Sequence, residues 1–248
     1  MAKIMLHIQS LTMVDKDFLA SSIHWAFWIG RHTSHTLLLS TPDRTSIDRG
    51  RNEAVKAALA NDCDYVWFLD DDMPIEPHTL QSLVECDADI AMAHSYIRGY
   101  PYKPMCFVWT EGSSRDNPQG SALRLFNDDA EFDSAIGPNG LVEVAAVGFT
   151  CALLKCSIFK ELQPPYFLTS PNQTEDVHFC LRCQFELENP IKVVVDTKVP
   201  TIHLGPREFI STHTVKALRE YHEKVEGKVL QPIREDRDAA YLKQVEEL

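Results

Sequence analysis

Three consecutive carboxylates, Asp70, Asp71 and Asp72, follow an apolar run in Phe68-Leu69-Asp70-Asp71-Asp72-Met73 of this 248-residue chain. Carboxylates beside an apolar interior lose hydration and repel one another, so the cluster is costly unless a cation or strong donors stabilise it. A divalent ion such as Mg²⁺ or Mn²⁺ takes hard oxygen ligands of this kind, completing its shell with water or phosphate. The competing reading is a solvated turn that caps a following helix.

Spacing disfavours two other acidic chemistries. An aspartyl-nucleophile phosphatase wants Asp-x-Asp-x-Thr after its first strand, whereas position 74 is Pro and the strand is the third. A prenyl-diphosphate site wants carboxylates at helical spacing, and these leave a strand. Other residues invite chemistry less sharply. In Thr174-Glu175-Asp176, Thr174 suits an N-cap and the two acids a first helical turn. Arg44, Arg49 and Arg51 form the one dense cationic stretch, either anion ligands or the solvated face of a helix. Tyr96, Arg98, Tyr100 and Tyr102 offer rings for stacking on a ligand and a guanidinium to bind a charge, or a plain surface loop. Gly148-Phe149 marks a close approach or ordinary packing. Cys180-x-x-Cys183 has no second pair, which argues against zinc or redox use.

The elements that must position these residues follow from periodicity. Short apolar runs predict strands over residues 3–9, 36–40, 64–70 and 88–94, and apolar stripes predict helices over 16–29, 46–60 and 77–85 between them. Trp25, Phe27 and Trp28 read as packing of the first helix. This βαβαβαβ alternation implies an α/β protein with a doubly wound parallel sheet and ligands beyond the carboxyl ends of its strands. Gln9, Ser10, Ser40 and Thr41 lie at two such ends. Residues 98–139 read as loops and edge strands, with apolar runs at 105–109 and 122–126. Further strands are expected at 141–147, 192–196 and 199–203, and helices at 157–162, 175–186, 212–225 and 234–247.

The length fits one domain, and no apolar run approaches the roughly 18 residues of a membrane-spanning helix. The amino terminus lacks a signal-peptide pattern, and seven scattered cysteines point to reduced thiols, so a cytoplasmic location is expected. A formal charge of −12 removes the main driving force for non-specific nucleic-acid binding.

Taken in order, Gly50-Arg51-Asn52-Glu53-Ala54, the acidic turn, Val147-Gly148-Phe149-Thr150, Thr174-Glu175-Asp176 and Ile202-His203-Leu204-Gly205 resemble the motif series of GT-A glycosyltransferases of the family 2 type. The resemblance spans residues 3–205. It implies a GT-A, Rossmann-like fold: a central, mostly parallel sheet flanked by helices, with a smaller acceptor-side sheet. Residues 1–97 would form the nucleotide-sugar-binding half, 98–205 the acceptor-binding and catalytic half, and 206–248 a helical extension. Asp70-x-Asp72 matches the DxD motif, so Asp72, His203 and Asp70 would ligate Mn²⁺ or Mg²⁺. Gln9, Ser40, Arg51, Asn52, Asp70 and Asp71 would contact the nucleotide-sugar donor. Asp176, with Glu175, resembles the element that supplies the base in inverting members. The implied activity is metal-dependent, hexosyltransferase-like transfer of a sugar from a nucleotide-diphosphate donor, with inversion. Its acceptor would be a hydroxyl on a glycan, a lipid-linked molecule, a protein or a modified nucleotide. The alternative is a non-catalytic module of the same fold that binds nucleotide sugar or glycan. A sugar nucleotidyltransferase would want a Gly-rich, basic loop after the first strand, where this chain has Gln9-Ser10-Leu11-Thr12.

Overall fold

The structure, a computed structural model, describes residues 1–10, 14–41, 45–118, 122–170, 173–205 and 209–225. Leu11, Thr12, Arg44 and the helix expected at 234–247 lie outside the described residues. The first half alternates as expected: β1 (Lys3–Gln9), α1 (Lys16–His32), β2 (Thr36–Ser40), α2 (Ile47–Ala60), β3 (Tyr65–Asp70), α3 (Thr79–Glu85) and β4 (Ile90–Ala93). The second half comprises β5 (Cys106–Trp109), β6 (Leu123–Leu125), α4 (Asp129–Ser134), β7 (Leu141–Val144), β8 (Ala146–Val147), β9 (Cys151–Lys155), α5 (Cys156–Glu161) and α6 (Glu175–Glu186), followed by β10 (Val193–Asp196), β11 (His203–Leu204), β12 (Phe209–Ile210) and α7 (Val215–Val225). No helix among the described residues is long and apolar enough to cross a membrane.

The main sheet has seven strands in the order β2-β1-β3-β9-β4-β10-β7, and β5, β6 and β8 form a smaller antiparallel sheet. Five strands of the main sheet run parallel, while β9 and β7 run against them. The alternating pattern predicts β4 beside β3, but β9 is inserted between them, pairing with both. Cys151 to Leu154 are apolar and buried on both faces, as a strand in mid-sheet requires, and Lys155 ends it. Because β9 runs the other way, its start rather than its end reaches the carboxyl ends of the parallel strands. Gly148, Phe149 and Thr150 are thereby delivered there.

Other boundaries shift for local reasons. The strand expected at 141–147 divides at Ala145, with β7 pairing to β10 and β8 to β5. The strand expected at 199–203 is reduced to His203–Leu204, since Pro200 has no N–H for a ladder. Helix α4 arises within the stretch read as loops and edge strands, with the Asp128 side chain accepting from the Glu131 N–H at 2.9 Å. Helix α3 starts at Thr79 rather than at 77, after a turn closed by the Thr79 N–H to the Glu76 carbonyl.

Strand alternation builds a core on each face of the sheet. Val66 and Phe68 of β3, with Ala152 and Leu154 of β9, face Ala54, Val55, Phe159 and Phe179 from α2, α5 and α6. Trp67, Leu69, Cys151 and Leu153 face Phe18, Trp25, Ile29 and Leu83 from α1 and α3. Trp25 meets Trp67 edge to face at 5.3 Å, whereas Phe27 is exposed. All seven cysteines are free and buried, including Cys180 and Cys183 inside α6.

Candidate active site

Strand register alone gathers several of the expected residues. Gln9 is the β-partner of Asp70, and His7 is the partner of Ser40, so three strand ends meet at one edge of the sheet. Here His7, which the sequence reading did not select, links the other two. Its ring lies 3.3 Å from the Ser40 hydroxyl and 3.2 Å from Gln9 Oε1. Burial holds the imidazole neutral, with its pKa lowered to about 4. Gln9 also donates to the Thr45 carbonyl at 3.5 Å. A Cβ at Gly50 would come within 2.5 Å of Gln9 Oε1, so glycine lets α2 approach the network. A histidine inside the apolar run Lys-Ile-Met-Leu-His-Ile-Gln, in phase with Gln9, was the available signal.

The inner part of the site is organised by Arg51, which is 3% exposed. Its guanidinium makes a short hydrogen bond to Glu175 and another to the Phe149 carbonyl at 3.3 Å, and lies 3.7 Å from Asp70. It also packs against the rings of Phe68 and Phe149, with centroid distances of 5.3 and 5.4 Å. Arg51 therefore works from beneath the strand ends. Glu175 is buried, and its carboxylate is committed to this pair. Burial raises its pKa, with Arg51 opposing the rise. Asp70 is pushed up to about 7 by burial, partly offset by Arg51 and reinforced by Asp72 and Asp176. Asn52, one residue on, is fully engaged with backbone: its amide donates to the Asp48 and Phe167 carbonyls and accepts from the Tyr166 and Phe167 N–H groups. It ties α2 to the segment before α6 rather than facing the acidic turn.

Asp176 sits at the start of α6 with its two oxygens in different situations. Oδ1 accepts from the Val177 N–H at 2.7 Å and makes a short bond with the Thr174 hydroxyl. Oδ2 has only a long contact to the Phe149 N–H, at 3.3 Å, among the described residues. Thr174 is thus the N-cap by position, while its hydroxyl steadies Asp176 instead of a backbone N–H. A Cβ at Gly148 would lie 3.5 Å from Oδ2 and 2.3 Å from Met105 Sδ, so the close approach expected at this glycine is present.

The outer part centres on Asp72. The backbone after Pro200 runs along the acidic turn, with the Ile202 N–H on the Pro74 carbonyl and the Leu204 N–H on the Asp72 carbonyl at 2.8 Å. This clamps His203 opposite Asp72, with Nε2 at 3.5 Å from Oδ2. His203 Nδ1 lies 2.8 Å from the Tyr96 carbonyl, an acceptor only, so in the neutral ring the proton sits on Nδ1 and the Nε2 lone pair faces the carboxylate. An oxygen and a nitrogen lone pair facing each other suit a cation between them. Arg98 brings a cation to the same carboxylate oxygen, donating to Asp72 Oδ2 at 2.7 Å. Among the described residues no three His, Cys, Asp or Glu side chains converge as a metal cage. Asp70 is paired with Arg51 and also feels the His203 ring, and Asp71 is partly exposed at the same turn.

The carboxyl ends of parallel strands, an acidic turn on β3, an antiparallel strand opening beside it and a second small sheet together define the architecture. The fold is GT-A-like. No protein-family profile matches the chain, and no curated sequence matches it. Among solved structures it is similar to A197 from STIV, with a TM-score of 0.50 and 15% identity over 84% of this chain and 93% of that one. It is also similar to apo UDP-glucose pyrophosphorylase, with a TM-score of 0.45 and 10% identity over 90% and 99% of the two chains. The catalytic domain of Drosophila beta1,4-galactosyltransferase 7, in complex with xylobiose, gives 0.42 and 14% over 89% and 80%. At these identities the likeness is one of fold, and the reaction must be argued from this chain's own residues.

Proposed function

We propose that the chain is a glycosyltransferase, binding a nucleotide-diphosphate sugar at the acidic turn and passing its sugar to a hydroxyl acceptor with inversion. The observation that carries this reading is the Arg51 bridge. One guanidinium joins Asp70 of the first acidic motif to Glu175 of the second, so that Asp176 stands at the same strand ends as Asp72 and His203. Asp72 and His203 are the residues that would hold Mn²⁺ or Mg²⁺, a two-donor set that leaves positions for water and phosphate. Such an ion, when bound, would neutralise charge developing on the leaving diphosphate.

The chain's own residues would do the rest. Asp176 is fixed through Oδ1 and free to use Oδ2, which would accept the proton of the acceptor hydroxyl as its oxygen bonds to the anomeric carbon and the bond to the diphosphate breaks. Gln9 and Ser40, joined by His7, would line the nucleotide side, with Asp71 reaching the ribose. Arg51, Asn52 and Glu175 would act as positioning residues.

The test is release of nucleoside diphosphate from a panel of nucleotide sugars, with water as the default acceptor. Asp176→Asn should lower the rate by about 10²–10⁴-fold, the usual worth of a general base, while donor binding persists. A parent protein that binds donor and never releases diphosphate would instead be the binding module.

A further inference from the structure

Arg98 is the charged side chain of the Tyr96-Ile-Arg-Gly-Tyr-Pro-Tyr102 loop, and the reaction above leaves it without a task. Its Nη1 occupies Asp72 Oδ2 at 2.7 Å, the same oxygen that faces His203 Nε2 at 3.5 Å. The backbone that carries it is braced. The Ile97 N–H donates to the Lys103 carbonyl at 2.9 Å and the Tyr102 N–H to the Gly99 carbonyl at 2.7 Å. From α7, Arg219 donates to the Pro101 and Tyr102 carbonyls at 2.8 and 2.6 Å, and is itself paired with Asp129. The Arg98 side chain, by contrast, is 52% exposed, so it can swing while its loop stays in place.

A guanidinium and a divalent ion on one carboxylate oxygen would crowd like charges in a partly desolvated corner. Asp72 therefore has two alternative cationic partners, one tethered to the chain and one from solution. Moving the tethered one needs another anion to receive it, and phosphate oxygens match the planar fork of arginine better than any neutral group. We propose that Arg98 is the site's tethered cation, holding Asp72 until a nucleoside diphosphate takes its guanidinium and releases Asp72 and His203 to a divalent ion. The proposal rests on the nucleotide-diphosphate reading above and adds a coupling to it. Diphosphate and metal should each strengthen the other's binding, with Arg98 carrying part of that effect.

The experiment compares the parent with Arg98→Gln and Arg98→Lys. Binding of Mn²⁺ alone is read from the electron paramagnetic resonance of the free ion. Binding of UDP, GDP, dTDP and CDP is read by calorimetry without and with Mn²⁺. Arg98→Gln should bind Mn²⁺ alone roughly tenfold more tightly and the favoured diphosphate without metal roughly tenfold more weakly, the scale of one charge-assisted hydrogen bond. Arg98→Lys should fall between, and Asp72→Ala should remove the Mn²⁺ gain in the Arg98→Gln background. If a diphosphate binds the parent but Arg98→Gln changes neither affinity, the proposal falls and the nucleotide-diphosphate reading stands. If none of the four binds the parent, that reading falls and the proposal with it.

Discussion

Two arginines serve one acidic site in opposite ways. Arg51 is buried at 3% exposure, pressed against two phenylalanines and bonded to Glu175, whereas Arg98 leaves half its side chain in solvent and reaches Asp72 from a surface loop. A desolvated charge cannot be moved without stranding its partner, so Arg51 is architecture. An exposed charge exchanges water for protein at little cost, so Arg98 is available to a ligand. Burial, rather than residue type or nearness to the carboxylates, separates framework from working surface.

The largest effect expected from this contrast is on stability. Arg51→Ala should cost about 3–5 kcal/mol in denaturant unfolding, because it leaves Glu175 buried without its partner and removes the cation beside Asp70. A loss below 1 kcal/mol would mean that water reaches the pair. The dryness of the inner part can also be read from His7, whose ring resonances should titrate near pH 4. An unfolded histidine binds its proton near 6.5 and the folded one refuses it until about 4, so the unfolded state holds more protons between these values. The stabilising contribution of neutral His7 is therefore complete above 6.5 and is lost as pH falls toward 4. A midpoint near 6.5 would show the ring to be solvated. The smallest effect belongs to Arg98→Ala, which should change unfolding free energy by less than about 1 kcal/mol. A cost like that of Arg51→Ala would erase the distinction.

Much of this arrangement was legible in the sequence because local patterns govern it. The strand–helix alternation up to residue 94, the apolar run ending at Asp70 and the first turn of α6 follow from periodicity and capping. Sheet order was not legible at β9, since four consecutive apolar residues, Cys151 to Leu154, carry no mark of a strand's direction or neighbours. The split at Ala145 likewise depends on which strands arrive from elsewhere. The sequence reading named Asp72 and His203 together, and the turn-hugging backbone of residues 202–204 brings them within 3.5 Å. It assigned Arg51, Asn52 and Glu175 to donor contact or catalysis through the motif resemblance. Residue type does not reveal that a partner more than a hundred positions away, such as Glu175 for Arg51 or Phe167 for Asn52, will draw the side chain inward. His7 was missed because its role depends on Ser40 and Gln9 meeting across strands.

The acidic turn and His203 are proposed to receive a nucleoside diphosphate together with a divalent ion. This is tested most directly by calorimetric titration of UDP, GDP, dTDP and CDP, with and without Mn²⁺, into the parent protein and into Asp72→Ala. One diphosphate should bind the parent with heat that depends on Mn²⁺, and Asp72→Ala should abolish that Mn²⁺ dependence while leaving the fold intact. Absence of binding by all four to the parent, with or without the ion, would contradict the proposal and return the acidic turn to a solvated cap.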